Sequence, residues 1–206
     1  MNEQKTIEVP EEEVKEASET QESPKQEDES IFSAKKHFPI FPTNLFEFEL
    51  KEKEAQAMYD CIPALLEEGL PGEPNWATRP NLNALKEFEE AVSICGESAL
   101  EILGFMGVRF DDMLITSMRG YRYTKPELGP LENRPNNMLS GIFFLRTDGK
   151  GRITFFDPRP QAWVIKPPIS EANIFNSDAF SIEFKPGKMI VFPAWLQYQV
   201  AFQEEI

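Results

Sequence analysis

The sequence predicts a mainly β fold, an antiparallel sandwich or barrel, and three observations in its C-terminal half carry that prediction. Apolar runs of strand length recur between Arg134 and Val200: MLSGIFFL, ITFF, FSIEF and MIVFP. They alternate with turn signals, DGKG at Asp148–Gly151, DPRP at Asp157–Pro160 and KPGK at Lys185–Lys188. No helical period runs between them. Short β-rich segments at roughly even spacing close as a sandwich or barrel.

The preceding half reads differently. The first 30 residues hold 11 acidic side chains against 3 lysines, so this stretch carries −8 of the chain's formal charge of −14. It has no aromatic residue and too little apolar surface to offset its ordering entropy, which predicts a disordered acidic arm over residues 1–36. Ordered structure is expected over residues 37–206. Phe46, Phe48 and Leu50 alternate with Glu47 and Glu49, the pattern of a half-buried strand. Pro39 and Pro42 just before it suit an edge, because proline donates nothing to a ladder. Ala55, Met58, Ile62 and Leu65 then follow a helical period that Pro63 should end or kink. Gly69 to Pro80 reads as a loop, with Trp76 a packed aromatic rather than a ligand platform. Leu85, Phe88, Val92, Cys95, Ala99 and Leu103 recur at steps of three or four. They predict a second helix, capped by Asn81 or Asn83 and stopped at Gly104, that packs on the outside of a sheet. Ile115 to Tyr123 is expected to open the β half.

Composition excludes several function classes. A charge of −14 repels phosphate backbones, so nucleic acid is not expected as a partner. No apolar run reaches the ~20 residues of a membrane span, and the N-terminus is acidic where a secretory signal is basic. A soluble protein with no membrane partner is expected, cytoplasmic or virion-associated. Cys61 and Cys95 fit no zinc or redox spacing and read as reduced core thiols. No GxxxxGK[ST] or strand–GxGxxG–helix pattern is present to cradle phosphates.

Several segments, taken in order, resemble the iron(II)/2-oxoglutarate-dependent oxygenases. They are FPTNLFEFEL, NWATRPNL, PNNMLSGIFFL, FFDPRP and KPGKMIVFPAWLQYQV. The nearest likeness is to the prolyl-hydroxylase-like small oxygenases of marine bacteria and their tailed phages. That resemblance implies a double-stranded β-helix, or jelly-roll, with two supporting helices. It also implies Fe(II) held by two histidines and one carboxylate, with open positions for 2-oxoglutarate and dioxygen. At the positions matching the family's metal ligands this chain has Glu132, Arg134 and Tyr198. The family's arginine for the far carboxylate of 2-oxoglutarate sits on a strand beyond Ile206, where this chain stops.

One count is independent of any resemblance. The chain contains a single histidine, His37, so a two-histidine triad cannot be assembled from it. Arg134 has no lone pair to give; Glu132 is the one metal-ligand candidate, with Tyr198 a ligand only as phenolate. Glu132 and Arg134 read more naturally as an ion pair. Asn136, Ser140, Asp157 and Trp195 complete the candidate pocket. Asp157, ahead of Pro158, reads first as an Asx turn. Ser140, Cys61 and Cys95 have no base to activate them, and Asp111–Asp112 read as a turn pair. Trp163, Trp195, Tyr121 and Tyr123 are aromatics that could line a groove.

The sequence-level conclusion is a non-catalytic relative of the oxygenases that needs no cofactor and holds an unidentified protein partner. One alternative is an active hydroxylase, with Fe(II) and 2-oxoglutarate on a rearranged site using Glu132, Asp157 or a second subunit's histidine. Another is a truncated product whose missing last strand leaves an edge open to homo-oligomeric or edge-strand pairing.

Overall fold

The structure, a computed structural model, describes residues 36–68, 76–123, 127–147 and 150–203. Apart from Lys36, the acidic arm lies outside the described residues, as do Asp148 and Gly149 of the first turn signal. The chain divides between Ile40 and Phe41, and the architecture below is that of the unit Phe41–Ile206.

Strand β1, Phe46–Glu49, is followed by helix α1, Glu52–Cys61. Glu52 and Glu54 in the first turn of α1 complement its dipole. The helix ends where Pro63 removes a backbone donor, and the chain continues as a 3-10 turn at Pro63–Leu65. Two-residue strands β2, Glu67–Glu68, and β3, Trp76–Ala77, come next, so the stretch read as a loop contributes a strand. Helix α2 spans Glu89–Phe105 and is preceded by two 3-10 turns. No side chain caps it: its N-cap position is Phe88, which has no side-chain acceptor, and Asn83 lies in the first of those turns, its amide donating to the Ile115 carbonyl at 3.0 Å. Its stop is Gly107, at φ +66°, rather than Gly104. Val108 N–H reaches the Leu103 carbonyl and Gly107 N–H the Gly104 carbonyl, closing a Schellman motif.

The segment Ile115–Tyr123 yields only β4, Tyr121–Arg122, and β4 pairs with β3 instead of opening the C-terminal sheets. Those sheets use β5, Glu127–Leu128; β6, Leu139–Phe144; β7, Lys150–Phe156; β8, Ala179–Glu183; β9, Lys188–Pro193; and β10, Tyr198–Gln203. The described strands pair antiparallel, in the orders β1-β9-β6, β5-β10-β7-β8 and β2-β3-β4, and one isolated bridge, Asn81 to Met118, is parallel. Helix and strand occupy comparable shares of the described residues, so the class is mixed rather than mainly β. The reason is local: the strands are short, and α1, α2 and their flanking turns take most of the N-terminal half.

Alternation along the strands separates two packed layers. Ile190 and Phe192 on β9 face inwards with Phe144, Ile153, Phe155 and Leu196, forming the core shared by the two larger sheets. Met189 and Val191 face the other way and meet Ile102 and Ile94 of α2, with Phe46 and Phe48 of β1 alongside. Helix α2 therefore covers the outer face of β1-β9-β6, as its amphipathic period predicts. Its buried line is Phe88, Ala91, Ser98 and Ile102, with Leu103 beside it. Val92 and Ala99, expected on that line, are only half-buried.

The KPGK turn ties three strands together. Gly187 takes φ +81°, a conformation that favours glycine. Its carbonyl accepts from Leu50 N–H at 2.7 Å, and its N–H donates to the Phe144 carbonyl at 2.8 Å. No helix among the described residues is long and apolar enough to cross a membrane.

Candidate functional site

The site grows from the irregular edge of β10. On one side β10 pairs continuously with β7, Tyr198 lying opposite Phe155. On the other side, β5 pairs with Ala201 and Phe202, and Gly129 N–H donates to the Val200 carbonyl. Pro130 has no N–H to continue the ladder. Pairing resumes at Glu132, whose N–H and C=O both bond to Tyr198 at 2.9 Å. Arg134 N–H then reaches the Ala194 carbonyl at 2.7 Å, and the chain turns over into β6. Glu132 and Arg134 are two residues apart on extended backbone, which puts their side chains on one face. Tyr198 stands directly across from Glu132.

This register brings together the three positions that the resemblance assigns to metal ligands. A single Glu132 oxygen, Oε2, accepts from Arg134 Nη2 at 2.8 Å and from the Tyr198 hydroxyl at 3.0 Å. The Tyr198 ring is embedded in the inner core, edge-on to Phe192 with ring centres 5.2 Å apart. Burial, foremost, and the neighbouring Glu132 carboxylate push the Tyr198 hydroxyl well above the usual phenol range, while Arg134 partly offsets them. At neutral pH Tyr198 is therefore a protonated donor and not a phenolate.

The other candidates fall elsewhere. Asp157 forms its own turn: its carboxylate accepts from the Arg159 backbone N–H at 3.0 Å and from the guanidinium at 2.8 and 2.9 Å. The Asx-turn reading holds, with an added bidentate ion pair in which Asp157 raises the affinity of Arg159 for its proton. Ser140 is half-buried opposite Phe192, and Asn136 is exposed in the turn before β6. Trp195 is 46% exposed between β9 and β10, and its carbonyl accepts from Asn133 at 3.4 Å. That bond ties Trp195 to the segment carrying Glu132 and Arg134. The backbone of Trp163 lies in a 3-10 turn, Pro160–Trp163, and its side chain is outside the described residues.

A facial triad requires three lone-pair donors. Here Arg134 is a cation with no lone pair, and Tyr198 holds its proton. The one oxygen turned to both, Oε2 of Glu132, already accepts two hydrogen bonds. These residues do not fit the metal.

Residues 122–205 match the family model described as "Putative 2OG-Fe(II) oxygenase". The matched segment contains the Glu132–Arg134–Tyr198 cluster. A comparison with curated proteins finds no match.

Proposed function

We propose that this chain is a non-catalytic member of the 2-oxoglutarate/iron(II) oxygenases, a jelly-roll retained as a binding or structural module. The observation that carries the reading is the pair of hydrogen bonds converging on Glu132 Oε2. A cation and a neutral donor stand where a metal would need two further ligands, and they satisfy the carboxylate in its place. The strand order supports the jelly-roll. Order β5-β10-β7-β8 beside the pair β6–β9 is how that fold lays strands two, seven, four and five in one sheet and three beside six in the other.

Anaerobic calorimetric titration with Fe(II), alone and with 2-oxoglutarate, tests the proposal. No saturable heat is expected from the native chain, whereas binding near one metal per chain would overturn it. The double variant Arg134→His/Tyr198→His supplies two imidazoles beside Glu132. It is expected to bind Fe(II), or Co(II) as a spectroscopic probe, where the native chain binds neither.

A further inference from the structure

We propose that β6 is a docking edge for a second copy of this chain, joined antiparallel about a two-fold axis at Gly141. Ala194 N–H donates to the Met138 carbonyl, and this fixes the phase of the β6–β9 ladder. Ser140, Ile142 and Phe144 direct their backbone groups to β9. Leu139, Gly141 and Phe143 direct theirs away from it, and no described residue bonds to them. β6 is the last strand of its sheet, and Gly141 at its centre is exposed.

Charge decides which partner such an edge takes. The other edge strands of the two larger sheets carry carboxylates: Glu47 and Glu49 on β1, Glu127 on β5 and Glu183 on β8. Symmetric pairing of any of these would bring like charges together, a usual guard against self-association. β6, LSGIFF, has neither a charge nor a proline. With Gly141 opposite its own copy, Leu139 faces the partner's Phe143 and Phe143 the partner's Leu139. Those are apolar cross-strand pairs, and the axial position has no side chain to obstruct them. Three outward residues on each chain can exchange backbone hydrogen bonds in that register, extending β1-β9-β6 into a sheet across two copies. In a chain of charge −14, an uncharged edge is the surface where a second copy meets least repulsion.

The first measurement is the mass of the full chain by sedimentation equilibrium over a concentration series. A reversible dimer is expected; a monomer up to about 1 mM overturns the proposal and leaves the edge to a strand of another protein. Gly141→Pro deletes the outward N–H without removing a bond to β9. With its fold checked by circular dichroism, it should weaken dimerisation at least about tenfold. Gly141→Cys tests geometry independently, since facing Cα atoms about 5.5 Å apart lie within disulfide reach. Under mild oxidation it should give a covalent dimer on a non-reducing gel while the native chain does not. A dimer indifferent to Gly141→Pro, or a Gly141→Cys chain that stays uncrosslinked, also overturns it. None of these outcomes depends on whether the Glu132 site holds a metal.

Discussion

At the scale of single residues, the Glu132 cluster predicts an order of stability effects. Glu132→Ala leaves the half-buried Tyr198 hydroxyl without its acceptor, which costs about 1–3 kcal/mol. Tyr198→Phe removes the donor but leaves a carboxylate that is part-exposed and still paired to Arg134, so about 1 kcal/mol is expected. Arg134 is 45% exposed, and Arg134→Ala should cost the least, under about 1 kcal/mol. Urea unfolding of the three variants checks the ranking; a larger loss for Arg134→Ala than for Glu132→Ala would contradict it. The residues of this cluster were legible in the sequence, but their joint use of one carboxylate oxygen was not. That depends on the register placing Tyr198 opposite Glu132, a pairing between segments 66 residues apart in the chain. Asp157 was the opposite case. Its turn is closed by Arg159 two residues later, and a contact that local is visible in the letters.

Among the elements, α2 carries the clearest pH signal. Burial pushes the Cys95 thiol up to about 11. Between the ordinary thiol value and that one, the unfolded chain loses a proton that the folded chain keeps, so stability falls as pH rises. The contribution is fully present below about pH 9, near the unfolded thiol value, and lost towards pH 11. On the order of 2 kcal/mol is at stake. Thermal melts from pH 8 to 11 should fall more steeply for the native chain than for Cys95→Ala. Element by element, what could be read depended on length and punctuation. β6 to β9 are each long enough to show alternation and most are bounded by turn residues, while the two-residue strands β2, β3 and β4 are too short for any period. The asparagines look like caps of α2, but they sit at the first of two 3-10 turns and the helix starts at Glu89. Its end was misplaced by choosing the first of two glycines.

For the whole molecule, the layer between the two larger sheets holds the largest cluster of buried apolar side chains among the described residues. Phe192 is fully buried there against Phe155 and Tyr198. Phe192→Ala should cost about 3–5 kcal/mol. It should also disturb near-ultraviolet dichroism from Tyr198, a loss that a substitution on the outer α2 face should not reproduce. The sheet orders themselves could not be read from the sequence, because pairing is set by contacts far apart in the chain. β1 shows what this means in time. Among the described residues its strand partner is β9, about 140 residues further on, and the Gly187 turn that receives Leu50 belongs to the same late segment. At typical rates of synthesis that partner follows on the order of ten seconds later. Until then Phe46, Phe48 and Ile102 of α2 lack the Met189–Val191 face that completes their layer. The nascent chain thus spends its longest exposed interval with its N-terminal half waiting, which makes that half, rather than the later-made β sheets, the natural client of a chaperone.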